Sequence, residues 1–120
     1  MALHHAQPGE IVDLAPLGSA IANARTSAII KTGQFEAIRL VVHAGAEIPE
    51  HEVPGNITLH CLEGRVHVSL TDSHLELGPN EWAYLEGGEP HSLKGIEDAS
   101  LLLTIFFPHP SPQSLPSATE

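Results

Sequence analysis

The sequence predicts an all-β domain, a sandwich or barrel of antiparallel strands. Three observations carry that prediction. Eight or nine short runs rich in Val, Ile, Leu and Thr alternate with turn signals through the body of the chain. Only five of the 120 residues are aromatic, so a core must be built from aliphatic side chains. Residues 57–70 divide into a wholly apolar face and a polar face, the mark of a half-buried strand pair.

Taken in order, residues 1–10 read as a flexible leader. Residues 11–107 read as one β domain. Residues 108–120, rich in Pro and Ser without periodicity, read as a disordered tail. "GEIVDLAPLG" begins as a short extended run, and "SAIANAR" from Ser19 is the best helical candidate. "TSAIIK" and "FEAIRLVVH" flank Thr32-Gly33-Gln34, a hairpin signal. "AGAEIPEHEVPGN" reads as a long polar connection. "ITLHCL" and "RVHVSL" read as a hairpin turning at Glu63-Gly64. "SHLEL", "EWAYLE", "HSLKG" and "ASLLLTIFF" complete the strands.

The Glu63-Gly64 turn predicts a register. Ile57, Leu59, Cys61, Val66, Val68 and Leu70 fall on one face and point inward. Thr58, His60, His67 and Ser69 fall on the other, with His60 opposite His67.

Charge and cysteine content exclude several classes. Fifteen acids against five bases give a net charge of −10. Such a surface repels phosphate backbones and anionic lipid, so neither nucleic acid nor a membrane is an expected partner. The single cysteine, Cys61, rules out an internal disulfide and Cys-rich zinc modules. No run approaches the ~18 apolar residues of a membrane-spanning helix. "MALHHAQPGE" lacks the marks of a signal peptide, and a cytoplasmic location is expected. Phosphate-binding Gly loops and the Gly-x-Ser-x-Gly elbow are absent.

The order of motifs resembles the cupin superfamily, in particular its small single-domain bacterial members. The first cupin motif runs Gly, five residues, His, one residue, His, three or four residues, Glu, six residues, Gly. Here Gly45, His51 and Gly64 match, while Val53 stands for the second His and Ile57 for Glu. In the second motif Gly88 and His91 match, while Asn80 stands for the first Gly, Glu86 for Pro and Gly95 for the final Asn. The resemblance covers about residues 36–107. It implies a jelly-roll barrel (a double-stranded β-helix) of two antiparallel sheets, open at one end, and commonly a homodimer. It also implies a divalent transition metal, Fe, Mn, Ni, Cu or Zn, held by three His and one Glu. By position only His51 and His91 carry over as ligands.

Other residues complete the candidate list. Cys61, facing inward, is either a third ligand or a small buried hydrophobe. Glu86 is either a pocket acid or a solvated rim acid. Ile57, Leu59, Cys61 and Glu86 form the expected ligand pocket with the two histidines. His60 and His67 read as a surface or interface pair, and His43 and His74 as surface. Three functions compete: small-molecule binding with an optional metal, a metal-dependent dioxygenase or isomerase using His51 and His91, and a dimeric interaction module. In the last, the His60–His67 face would weaken at acid pH as the imidazoles gain charge.

Overall fold

The structure, a computed structural model, describes residues 5–108. The expected tail, beyond Pro108, and residues 1–4 of the leader lie outside the described residues. Seven strands form the domain: β1 (Ser27–Lys31), β2 (Phe35–Val42), β3 (Glu47–His51), β4 (Ile57–Ser69), β5 (His74–Leu77), β6 (Trp82–Leu85) and β7 (His91–Phe106). All pairings are antiparallel.

β4 and β7 organise everything else. They pair along nearly their whole length, and both bend where their register shifts, between Cys61 and Val66 on β4. Before the bend β4 pairs with β6, and after it with β5. β7 pairs first with β3 and then with β2. The hydrogen-bonded sheet therefore folds over on itself. One half runs β1-β2-β7-β4-β6 and the other β3-β7-β4-β5. The inner faces enclose Val42, Ile57, Leu59, Cys61, Val66, Val68, Leu77, Leu85, Leu93, Ala99 and Leu101. This is the antiparallel jelly-roll barrel that the sequence predicts.

The hairpin expected at Glu63-Gly64 is not there: β4 passes through as one strand. The inward set is nevertheless nearly as read. Ile57, Leu59, Cys61, Val66 and Val68 are buried, and Leu70 packs partly buried against them. The physical reason is a shared phase. Odd positions point inward before the bend and even positions after it. A bulged bend slips the alternation as a tight turn does. Pairing with β7 distinguishes the two, and it lies ~30 residues away in sequence. One consequence is a correction: His60 does not face His67. His60 sits between Trp82 and Leu102, whereas His67 lies between Glu76 and Lys94 and stacks on His74 at 5.0 Å.

Four other elements differ from expectation. "HSLKG" and "ASLLLTIFF" are one strand, β7, bent to follow β4. The polar connection contains β3, which finds its partner in β7. "GEIVDLAPLG" joins no ladder, because its amides and carbonyls are used elsewhere. Asp13 and Ala15 carbonyls accept from Arg39, and the Leu17 and Gly18 amides donate to Glu63. The helical candidate is a single 3₁₀ segment, Gly18–Asn23, held by its buried Ile21. The Thr32-Gly33-Gln34 hairpin forms as read, with Thr32 Oγ1 accepting from the Gln34 and Phe35 amides.

Candidate functional site

β3 ends and β7 begins at one end of the barrel, and there His51 and His91 are directly paired. Their rings lie 4.5 Å apart, tilted by 55°. His91 is buried and His51 exposed. Each ring is oriented by a backbone carbonyl two residues upstream. His51 Nδ1 lies 3.0 Å from the Pro49 oxygen and His91 Nδ1 2.9 Å from the Glu89 oxygen. A carbonyl can only accept, so each Nδ1 carries the hydrogen. In the neutral ring this leaves Nε2 as a free acceptor or ligand atom.

Behind the pair lies a cavity of about 90 Å³. Its walls are Leu40, Ile48, Ile57, Leu59, Leu93 and Leu103, and the two histidines are its only polar lining. Strands from both halves of the sheet contribute, so the cavity sits inside the barrel. The mouth is fixed by the turn at Pro54–Asn56. Asn56 Oδ1 accepts from the Gly87 amide, Asn56 O from Phe106, and Val53 O from Gly88. A backbone atom of Pro54 would lie 2.1 Å from any Cβ on Gly87, so a glycine is needed there.

The expected pocket residues separate. Ile57 and Leu59 line the cavity with His51 and His91. Cys61 and Glu86 do not. Cys61 is fully buried one layer deeper, at the bend, where its thiol donates to the Glu63 and Gly64 carbonyls. Burial pushes that thiol above its ordinary pKa, and the Glu81 and Glu63 charges push the same way. The hydrogen bond to Glu63 and the Arg65 charge work against them. Native protein is therefore expected to react with a disulfide-type thiol reagent roughly a hundredfold more slowly than urea-unfolded protein. Equal rates would show that the thiol is accessible. Glu86 borders a separate shallow hollow with Tyr84 and Glu89.

The remaining histidines are also placed. His43 Nε2 lies 2.9 Å from the Ile21 carbonyl and ties down the 3₁₀ segment. Val53 and Ile57, at the positions where the resemblance expects a histidine and a glutamate, pack in or against the core. Asn80 holds a left-handed φ of 66°, which Asn tolerates, so it serves where the motif has Gly.

Sequence reasoning missed one residue of consequence. Expected only as half of a hairpin turn, Glu63 has a side chain that is 14% exposed and accepts from Leu17 N, Gly18 N and Ser100 Oγ. The only local signal was its position beside Gly64. A larger hollow, about 370 Å³, is a surface trough between residues 6–14 and β1 and lies away from the histidines.

Fold and site together define a small cupin-fold protein, a jelly-roll barrel with histidines at its mouth. Solved structures agree. The chain is similar to a conserved protein of unknown function from Streptococcus pyogenes, at 15% identity and a TM-score of 0.71, over 91% of this chain and 99% of that one. It is also similar to a cupin superfamily protein from Desulfitobacterium hafniense, at 17% identity and a TM-score of 0.70, over 82% and 95%. An RmlC-like cupin from Desulfovibrio desulfuricans gives 18% identity and a TM-score of 0.66, over 81% and 97%. No protein-family model and no curated protein matches the chain. Among the described residues, no helix is long and apolar enough to cross a membrane.

Proposed function

We propose that the chain binds a small, largely apolar molecule whose polar head meets His51 and His91. The observation that carries this reading is the cavity itself: six aliphatic walls and two oriented imidazoles. A binding site commonly needs only a few placed polar groups in an apolar pocket. At about 90 Å³ it suits a ligand of a few heavy atoms, well below the ~300 Å³ at which drug-sized sites begin. The free Nε2 atoms accept, so the head group donates: a hydroxyl or an amine. The acidic chain, with Glu50 and Glu52 flanking His51, disfavours an anionic head.

The metal implied by cupin relatives fits this donor set poorly. Among the described residues, no group of three or more His, Cys, Asp or Glu is placed to hold an ion. Two imidazoles fall short of the three protein ligands usual for a catalytic metal. Any metal is therefore optional and weakly held, and no chemical step is assigned to it.

The test is an NMR titration with butanol, butylamine and butyrate at about 10 mM, the regime of weak fragment binding. Butanol or butylamine is expected to shift the His91 ring nitrogens and the Leu59 methyls, and butyrate to do so least. No shift with any of them would sink the reading. Metal analysis of untagged protein belongs to the same experiment. A full equivalent of a transition metal, lost in both His51→Ala and His91→Ala, would replace it with the metal-enzyme reading.

A further inference from the structure

The trough outside the barrel, about 370 Å³, falls within the ~300–1,000 Å³ usual for bound small molecules. It shares no residue with the cavity behind the histidines. One wall is β1. The other is the segment 6–14, a strap tied to the barrel at both ends. At one end the Ala6 amide donates to the Ile29 carbonyl. At the other the Asp13 and Ala15 carbonyls accept from Arg39. The register of β1 against β2 slips between Ala28 and Ile30, so Ile29 has no β2 partner. Such a bulge bends a strand and re-aims its side chains, and Ala28 and Ile29 both line the trough.

Two features of these walls are unsatisfied. The first is Arg39, which borders the trough with its side chain only 12% exposed. A guanidinium carries five N–H donors. The bond to the Ala15 carbonyl is short, at 2.7 Å. Those to the Asp13 carbonyl and Ser100 Oγ are 3.5 and 3.4 Å, beyond the usual range for a hydrogen bond. The buried Nε has no acceptor at all. A buried donor left unmet costs free energy that an arriving acceptor recovers. The second feature is apolar: Ile11 and Val12 line the trough yet stand 91% and 40% exposed.

We infer that the trough is a second ligand site, for a neutral molecule with an amide-type carbonyl on an aliphatic body. The carbonyl oxygen accepts from Arg39, replacing the stretched Asp13 contact; the strap, released there, gives way and Nε gains its acceptor. Ser27, directly across from Arg39 in the β1–β2 register, adds a hydroxyl beside it. The body lies on Ile11, Val12, Ala28 and Ile29 and takes their surface out of water. Charge decides that the head is neutral. Glu63 already stands 3.7 Å from Arg39, and Glu10 and Asp13 are in the walls, so a carboxylate would meet three like charges. The inference is independent of the cavity reading.

The test is an NMR titration of the full chain with N-acetyl-leucine N-methylamide up to ~10 mM, the regime of weak binding. The backbone amides of Ile11, Val12 and Ile29 are expected to shift, and the Arg39 Nε–H signal to move downfield as it gains an acceptor. The His91 ring nitrogens and Leu59 methyls, which report the barrel cavity, are expected to stay still. N-acetyl-leucine, the same body with a carboxylate, is expected to bind roughly tenfold more weakly. Arg39→Lys keeps the charge beside Glu63 but loses the planar fork, and is expected to weaken binding by roughly tenfold or more. Ile11→Asp, at a residue 91% exposed, is expected to do the same with far-UV circular dichroism unchanged, and it carries the test if Arg39→Lys does not fold. No shift along the strap, or an unmoved Arg39 Nε–H, would overturn the inference. So would equal affinity for the carboxylate or in Ile11→Asp, and so would shifts confined to His91 and Leu59, which place the probe in the barrel.

Discussion

Gly64→Ala is expected to remove a large share of the fold's stability. Gly64 sits at the bend of β4 with φ of 78°, a conformation that costs an L-residue ~1–2 kcal/mol. That alone is tolerable. The added Cβ would also lie 2.0 Å from the Asp98 carbonyl oxygen and 2.6 Å from Ala99 Cα. Both belong to the backbone of β7, at the point where β7 bends beside β4, and neither can swing aside. Moving them opens the place where both long strands change partners. A loss of more than ~4 kcal/mol follows, against a total stability of ~5–15. Gly45→Ala is the control: its φ is 81°, yet no atom lies within 4 Å of its Cβ position. Urea denaturation should show a loss of only ~1–2 kcal/mol there. Similar midpoints for the two variants would remove the close approach from the account.

The second large effect is expected at Glu63. Its carboxylate accepts from Leu17 N at 2.9 Å, Gly18 N at 3.2 Å and Ser100 Oγ at 2.5 Å, and Arg39 Nη2 stands 3.7 Å away. Burial by itself raises the pKa of this carboxyl. The three hydrogen bonds and the Arg39 charge more than offset that, and the net shift is downward from 4.5. A depressed pKa means that the folded state favours the ionised form. The stabilisation is therefore complete above the unfolded value and lost as pH falls through the folded one. Glu63→Gln should cost ~2–4 kcal/mol at neutral pH, since it also strips a counter-charge from the largely buried Arg39. Arg39 is already short of partners, its buried Nε having none. The gap between wild type and variant should begin to narrow as pH falls below 4.5 and go on narrowing as it passes through the lower folded value. A gap constant from pH 7 to 3 would show that the charge contributes nothing.

The inner wall of the barrel was legible because burial imposes period two on a strand. Ile57, Leu59, Val66 and Val68 could be read inward from alternation alone. His51 and His91 could be read from motif spacing, and the structure pairs them across β3 and β7. What alternation cannot carry is the identity of a strand's partner. The slip between Cys61 and Val66 fits a hairpin and a bulged bend equally well, and only β7 decides between them. The depth of Cys61 and the displacement of Glu86 are likewise tertiary facts, fixed by which layer each strand position occupies. The role of Glu63 depends on amides 45 and 46 residues away. The outward aromatics of "EWAYLE" did alternate with Ala83 and Leu85. That pattern says that one face is apolar and the other aromatic, and gives no sign of which one meets water.

The shared long strands bear on how the molecule comes apart. Because β4 and β7 each run through both halves, neither half owns a complete set of strands. Peeling β5 or β1 from an edge is a local event. Opening either half at its centre breaks the β4–β7 ladder and takes the other half with it. The protein is thus built as one cooperative unit, with its protected amides along β4 and β7 and its softest ones at the edges. Forming that ladder joins residues 57–69 to 91–106 across a long stretch of chain, so folding is set by a late, non-local closure rather than by any single hairpin.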